Sequence, residues 1–228
     1  MESSIGGEIK LNFDFLPKET QKAFDYLSTQ EWLSESDWYL AGGTALSLQA
    51  GHRKSVDLDF FTKNPNFNNT ELLNNFLENK DIEVDINKEG TVYLRLFNAK
   101  VSFIAYPFFI PKQSFIEFGH IKILQTKDIA VMKIIAISQR GRKRDFVDLY
   151  WCIKNIESLE DIIRRLPEQY PLIAHDYHHI LKSLVYFDDA DNDPEPTMYA
   201  GDNWKDIKSF FKKEISFVAP RIIDLKTQ

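Results

Sequence analysis

Length, composition and charge limit the classes of protein to which this chain can belong. It has 228 residues, of which 43% are hydrophobic and 27% are charged, fractions typical of a soluble globular protein with a sizeable core. The 28 basic and 34 acidic residues give a net charge of −6, which excludes a protein that binds nucleic acid through its bulk charge. Any contact with RNA therefore has to come from a local basic patch.

Cysteine usage and hydropathy indicate a cytoplasmic location. The single cysteine, Cys152, excludes an internal disulfide bond and is typical of a reducing compartment. No stretch reaches 18 consecutive apolar residues, and the N-terminal sequence lacks a basic region followed by an apolar run. We therefore expect a cytoplasmic protein with neither a signal peptide nor a membrane partner.

The first part of the chain mixes helices and strands. In chain order, its patterns predict a helix over residues 17–30, a strand–helix–strand unit over 39–61, and a helix over 70–79. The strands that follow are predicted at residues 82–86, 92–97, 101–106, 115–118 and 121–124.

From residue 126 onward the patterns become helical. Helices are predicted over residues 127–140, 143–153, 158–166, 175–186 and 204–218, and the acidic segment 188–196 is predicted to be a loop. This order predicts an α+β fold, in which a mixed β-sheet with flanking helices is followed by a helical C-terminal region. We expect residues 1–125 to form the α/β core and residues 126–228 to form the helical region.

The segment 39–61 carries two carboxylates in a predicted strand. Asp57 and Asp59 alternate with Val56, Leu58 and Phe60, so the two carboxylates should point to one side and the apolar side chains into the core. Their Cα atoms are expected to lie about 6–7 Å apart. Carboxylates at that spacing can share Mg²⁺ or Mn²⁺, hard cations that also bind substrate phosphates. The alternative is that the two aspartates lie on a solvated strand face.

Two consecutive glycines precede the helix of the same unit. Gly42 and Gly43 allow the backbone to approach a triphosphate closely, and the N-terminus of the following helix offers N–H donors. Alone, such a pair indicates only a turn. A phosphate cradle that faces two metal-binding aspartates is, however, typical of a nucleotidyltransferase.

Two motifs make the resemblance specific. The first resembles the GG(S/T)–helix–RxSxDxD motif of the AbiEii/AbiGii toxin family, a branch of the DNA polymerase β-like nucleotidyltransferases, and consists here of Gly42-Gly43-Thr44, Arg53, Ser55, Asp57 and Asp59. The second resembles the family's Lys-x4-(Ser/Thr)-x5-Arg motif followed by an Asp, and consists here of Lys133, Ser138, Arg144 and Asp145.

The resemblance implies a nucleotidyltransferase-like fold and a role for each matched residue. It implies that NMP is transferred from an NTP substrate, with Mg²⁺ or Mn²⁺ as cofactor, to an acceptor such as the 3′ end of tRNA. It also implies a cognate antitoxin as partner. The implied catalytic residues are Asp57, Asp59, Lys133 and Asp145, of which Asp57 and Asp59 bind the metal. The implied nucleotide-binding residues are Gly42, Gly43, Thr44, Arg53, Ser55, Ser138 and Arg144.

The residues leave several roles open. Lys133 lies within an apolar helix, so it either follows the helix surface to water or reaches the triphosphate. Asp145 and Asp148 share a helix face, where one can pair with a cation as scaffold while the other acts in catalysis. The dense basic run 140–144 suggests phosphate contact at a helix junction, although such runs are usually solvated.

One position departs from the family pattern. The strand at which polymerase β-like enzymes usually place a third carboxylate has Ser102 at the expected position. Serine brings no negative charge, and Asp85 is a candidate to replace the missing carboxylate in space. Two interpretations follow: catalysis with two carboxylates, or a catalytically degenerate member of the fold that binds a nucleotide or a partner protein without transfer.

Overall fold

The sheet is the framework on which the other elements are placed. The structure, a computed structural model, describes residues 10–198, 201 and 203–223. The described strands are β1 (Tyr39–Ala41), β2 (Leu58–Thr62), β3 (Ile82–Lys88), β4 (Thr91–Leu96), β5 (Ala99–Ala105), β6 (Ile116–Phe118) and β7 (Ile121–Ile123). They form one mixed sheet in the order β3-β4-β5-β2-β1-β7-β6.

The centre of the sheet is where parallel and antiparallel pairings meet. Strand β2 lies parallel to β5 and antiparallel to β1, and β1 in turn lies parallel to β7. The outer pairs, β3–β4, β4–β5 and β6–β7, are antiparallel. The register places Asp59 directly between Ala41 of β1 and Ser102 of β5.

Helices surround the sheet and dominate the second half of the chain. A short 3₁₀ helix (Phe13–Phe15) comes first. The described α-helices are α1 (Lys18–Ser28), α2 (Glu31–Glu35), α3 (Gly42–Ala50), α4 (Asn69–Asn74), α5 (Thr126–Arg140), α6 (Lys143–Asn155), α7 (Leu159–Arg164), α8 (Leu166–Gln169), α9 (Tyr177–Ser183), α10 (Asp188–Asp191) and α11 (Trp204–Ile223). Within these described residues, no helix combines the length and the apolar character needed to cross a membrane.

Helix α5 joins the sheet to the C-terminal helices. It contacts α3 on one side and α6, α7 and α9 on others, which explains why apolar residues occur around most of its circumference. Ile129, Val131, Ile134 and Ile137 are all buried. The buried apolar residues of both halves consequently form one continuous cluster, from Leu16 to Ile222.

The structure confirms the predicted fold class and corrects some details. The mixed sheet with flanking helices and the helical C-terminal region are present. Strand β2 begins only at Leu58, and Val56, predicted to point into the core, is 48% exposed, because the chain pairs with its neighbours only from Leu58 onward. The acidic segment, predicted to be a loop, starts with the single-turn helix α10. The division of the chain into two parts at residue 125 stays a prediction. The outer ends of the two parts, residues 1–9 and 224–228, lie outside the described residues.

The turn between β6 and β7 provides a test of the packing. Gly119 has φ +55°, and a β-carbon there would overlap the carbonyl oxygen of Ser28, which is fixed because it accepts a hydrogen bond from the His120 N–H (2.8 Å). We expect Gly119→Ala to lower the free energy of unfolding by roughly 2–4 kcal/mol through backbone strain and overlap.

Chemical denaturation measures this change. The matched control is Gly201→Ala, because a β-carbon at Gly201 meets no atom of the described residues within 4 Å. The control should stay within about 0.5 kcal/mol of the wild type. Equal stabilities of the two variants would contradict the described packing of the hairpin against α1.

Candidate active site

The two predicted metal-binding carboxylates lie side by side at the start of β2. Asp57 immediately precedes the strand, and Asp59 is its second residue. Gly42 lies next to Asp59 on β1's side with φ +72°, and a β-carbon at Gly42 would come within 3.2 Å of Asp59 Oδ2. Glycine is therefore required here both for the left-handed backbone and for the close approach to the carboxylate.

Ser102 occupies the position beside Asp59 on the neighbouring strand. Its hydroxyl donates a hydrogen bond to Asp59 Oδ1 at 2.6 Å. Burial raises the pKa of Asp59 above its ordinary value and the charge of Asp57 adds to this effect, while the bond from Ser102 opposes it. At the position of the third carboxylate in the family pattern, this chain thus has a hydroxyl, and that hydroxyl forms a hydrogen bond to Asp59.

Buried hydrogen bonds fix the loop that carries the first motif. The Thr44 hydroxyl lies 2.9 Å from Ser55 Oγ and donates to the Asp57 carbonyl. A β-carbon at Gly43 would overlap the Nη2 atom of Arg53, so the glycine leaves room for the guanidinium. Thr44 itself is buried and positions the loop from behind.

A fully buried carboxylate, that of Asp148, joins the two motifs. It accepts bonds from Arg53 Nε (2.6 Å) and Nη2 (2.8 Å), and it lies 2.6 Å from Lys133 Nζ and 2.7 Å from His52 Nε2. Burial opposes its ionisation, but the charges of Arg53 and Lys133 and the bonds from His52 and Arg53 hold the pKa of Asp148 well below its ordinary value. Burial lowers the pKa of His52, which favours the neutral imidazole.

A second buried carboxylate, that of Asp145, lies one helical turn away. It accepts bonds from Lys133 Nζ at 2.8 Å and from Arg140 Nε at 2.9 Å. Burial opposes ionisation here as well, yet the charges of Lys133 and Arg140 lower the pKa of Asp145. The two buried carboxylates are therefore paired with three cations, Arg53, Lys133 and the half-exposed Arg140, which is an excess of one positive charge.

These groups face a common cavity of about 550 Å³. The part of the cavity that carries the charged and polar groups is lined by Gly42, Gly43, Arg53, Ser55, Asp57, Asp59, Ser102, Lys133, Arg140 and Arg144. Arg144 Nη1 lies 3.7 Å from Asp57 Oδ2, and about half of the Arg144 side chain is exposed. Oxygen donors on one side and cations on the other make the cavity suited to an anion that arrives with a divalent cation.

The structure distinguishes between the two interpretations of Lys133. Only 5% of this residue is exposed and it lines the cavity, so it does not extend along the helix to water. Its ammonium bonds to Asp145 and Asp148, and a lysine has three donors. Among the contacts of the described residues, one donor is therefore left for the cavity.

Three predicted residues lie away from the cavity. The Ser138 hydroxyl donates to the Ile135 carbonyl of its own helix (2.9 Å), and Ser138 does not line the cavity. Thr44 and Asp145 also lie behind the cavity wall. Asp145 is fully buried, and its ion pairs compensate its charge there. Their contacts hold other residues in place, and the nucleotide-binding or catalytic roles that the motifs imply for them stay predictions.

Asp85 lines a distant part of the same cavity. It pairs with Arg95 at 3.2 Å, and its strand β3 lies three strands from β2. At about 4.8 Å per strand, this places it roughly 14 Å from Asp59 across the sheet. Asp85 is thus too far away to replace the missing third carboxylate.

The basic run at the junction of α5 and α6 is divided between two roles. Arg142 pairs with Asp193 at 2.9 Å, and Lys143 pairs with Glu195 at 2.9 Å. Only Arg140 and Arg144 of this run line the cavity. The acidic segment, whose composition alone had indicated a solvated loop, therefore neutralises the half of the run that faces away from the site.

Comparisons with known proteins identify the family of the chain. The profile of the family "Nucleotidyl transferase AbiEii toxin, Type IV TA system" matches residues 27–217. An uncharacterized protein of Aquifex aeolicus (strain VF5) is 35% identical over 192 residues, which cover 79% of this chain and 87% of that protein. The chain belongs to this family of nucleotidyltransferase toxins.

Solved structures share the fold at low sequence identity. JHP933 from Helicobacter pylori is 17% identical with a TM-score of 0.51, and the alignment covers 93% of this chain and 98% of that one. MenT4, a nucleotidyltransferase toxin from Mycobacterium tuberculosis H37Rv, is 16% identical with a TM-score of 0.51, covering 89% and 86%. The nucleotidyltransferase fold predicted from the two motifs is thereby confirmed.

The buried ion pairs give a stability test. Asp148→Asn keeps the side-chain shape but leaves the buried Arg53 without its carboxylate and leaves Lys133 with that of Asp145 alone. We expect it to lower the free energy of unfolding by about 3–5 kcal/mol, the usual result of breaking a buried pair by removing one partner. Urea denaturation followed by circular dichroism measures the change.

The control removes an exposed carboxylate. Glu83 lies 3.6 Å from Arg95 on the surface, and Glu83→Gln should change stability by less than about 1 kcal/mol. If Asp148→Asn is as stable as Glu83→Gln, the buried network does not support the fold in the way described.

Proposed function

We propose that the cavity binds a nucleoside triphosphate and transfers its NMP group to the hydroxyl of an acceptor. The observation that carries this proposal is the meeting of Asp57 and Asp59 with Arg53, Lys133 and Arg144 around one cavity. In the reaction, the acceptor oxygen forms a bond to the α-phosphorus while the bond to the β-phosphate oxygen breaks. Pyrophosphate leaves, and the acceptor hydroxyl gives up its proton to water.

Asp57 and Asp59 are the residues that would hold a divalent cation. Both offer carboxylate oxygens to the cavity, the ligand type that Mg²⁺ and Mn²⁺ prefer. Among the described residues no group of three or more His, Cys, Asp or Glu side chains could hold a metal. Two carboxylates suit Mg²⁺ when substrate phosphates complete its coordination. The cation would supply Lewis-acid stabilisation of the phosphate oxygens when bound.

The cationic residues would bind and orient the triphosphate. Gly42 and Gly43 permit close approach of the phosphates to the N-terminus of α3, and Ser55 Oγ lies at the cavity wall. The remaining donor of Lys133 and the guanidinium of Arg144 would stabilise charge on the departing pyrophosphate. We assign Asp145, together with Asp148, to positioning Arg53, Lys133 and Arg140, since the two carboxylates bond to these cations and neither lines the cavity.

The finer identity of the partners rests on the family. Its description names a toxin of a type IV toxin–antitoxin system, which supports a cognate antitoxin as partner of this chain. The 3′ end of tRNA is retained as the proposed acceptor from the motif resemblance. A cytoplasmic location remains the prediction.

A second function is favoured by Ser102. A site with two carboxylates and a hydroxyl can bind a nucleotide without transferring it, as expected of a catalytically degenerate member of the fold. Such a protein would bind NTP but release no pyrophosphate. One assay therefore separates the two functions.

The transfer assay follows label from α-³²P-NTP into total tRNA with Mg²⁺, together with pyrophosphate release. We expect transfer by the wild type and a loss of at least about 10²-fold in Asp59→Asn, which removes a charge needed at the reacting phosphate. Asp85→Asn serves as control, because Asp85 shares the cavity but lies three strands away. Wild-type protein that binds NTP yet releases no pyrophosphate would favour the degenerate interpretation.

The position of Ser102 gives a further prediction. Ser102→Asp places a carboxylate beside Asp59 and should tighten Mn²⁺ binding, measured by calorimetry or electron paramagnetic resonance. Ser102→Asn, of similar size but uncharged, is the control and should not tighten binding. Equal or weaker Mn²⁺ binding in a folded Ser102→Asp protein would contradict the assignment of this position.

A further inference from the structure

The cavity has an apolar end that the transfer chemistry does not use. This end is lined by Phe61, Ile104, Tyr106, Ile129 and Met132, which we call the ring pocket. Along β2, Asp59 and Phe61 point to the same side, and along β5, Ser102 and Ile104 do so. The ring pocket is therefore the direct continuation of the carboxylate site along the sheet.

Along helix α5 the residues that line the cavity also change from apolar to charged. Ile129 and Met132 come first, Lys133 follows, and Arg140 is at the C-terminal end. Its N-terminal end adjoins the ring pocket: Gln169 donates to Asp128 at 2.5 Å, and the next residue, Tyr170, has its hydroxyl 3.2 Å from that of Tyr106. The wall formed by the sheet and the wall formed by α5 thus both change from charged residues to apolar residues toward the ring pocket.

The aromatic rings of the ring pocket are held by their neighbours. The Tyr106 ring meets Phe61 at 5.6 Å and 64°, and Tyr170 at 6.2 Å and 82°. Edge-to-face contacts of this kind are favourable for aromatic pairs. The hydroxyl bond to Tyr170 and these contacts pre-orient Tyr106, which reduces the entropy lost when a flat ligand packs against it.

We propose that the ring pocket binds the nucleobase of the donor nucleotide by stacking. This inference rests on the proposed function, since the charged end would hold the phosphates of the same ligand. A ligand that matches both ends must be anionic at one end and flat and apolar at the other, as a nucleotide is. Two residues of strand, about 6–7 Å, separate Asp59 from Phe61, which leaves room for a ribose between phosphate and base.

The alternative surface for the base lies on strand β4 of the same sheet. Tyr93 pairs with Ser102 across β4 and β5, and it also lines the cavity, but it is 38% exposed. Stacking is worth more where water is excluded, and the rings of the ring pocket are more deeply enclosed. We therefore assign the donor base to the ring pocket and use Tyr93 as the comparison.

The test compares ligands with and without a base. Calorimetry on the full chain with Mg²⁺, without acceptor, measures the affinity for ATP, CTP, GTP, UTP and inorganic tripolyphosphate. The wild type should bind each NTP at least about tenfold more tightly than tripolyphosphate, the scale of one stacked base. Tyr106→Leu should lose about tenfold for each NTP and nothing for tripolyphosphate.

Two further variants separate stacking from a structural effect. Tyr106→Phe retains the ring and should restore NTP affinity, whereas Tyr93→Leu should leave it unchanged. The proposal is overturned if Tyr106→Leu weakens NTP and tripolyphosphate equally, or if Tyr93→Leu, and not Tyr106→Leu, weakens NTP alone.

The outcomes also separate this inference from the proposed function. If the wild type binds tripolyphosphate as tightly as NTP, the ring pocket is overturned while the phosphate site stands. If neither ligand binds, the proposed function is overturned and the ring pocket with it.

Discussion

The candidate site depends on one buried carboxylate, that of Asp148. Its two oxygens bind Arg53, His52 and Lys133, and so connect the loop after α3, helix α5 and helix α6. A charge without solvent is costly unless it is paired with good geometry, and the fork of Arg53 meets both oxygens of Asp148. This pairing fixes Arg53 against Gly43, and Gly43 in turn determines how closely the backbone can approach an anion.

The local part of the site could be predicted from sequence, because it is encoded within about twenty residues. The Gly42-Gly43 pair, the short helix and the alternation of Asp57 with Asp59 place a phosphate cradle near carboxylates by chain geometry alone. The role of Asp148 could not be found in this way. Its spacing from Asp145 indicates a shared helix face, but its partner Arg53 lies 95 residues away. Only the packing of α6 against α3 brings the two together.

The interpretation of Ser138 shows where helix geometry could have added information. At about 100° per residue, Ser138 lies about 140° around the helix from Lys133. The cavity-facing residues Met132, Lys133, Ala136 and Arg140 follow a helical repeat that excludes it. The second motif therefore predicts that α5 lies beside the site. The helical repeat determines which side chains of α5 reach the cavity.

Ser102 relates the charge of the site to the way in which a divalent cation would bind there. A third carboxylate would add negative charge beside Asp59, whose pKa burial and Asp57 already raise. The hydroxyl instead stabilises Asp59 by donating a hydrogen bond, and the ion pairs of Asp145 and Asp148 with three cations contribute one excess positive charge nearby. With only two protein carboxylates, a divalent cation needs further oxygen ligands, which substrate phosphates can provide. The charge balance of this cavity therefore favours a cation that enters together with the nucleotide over one held permanently by the protein.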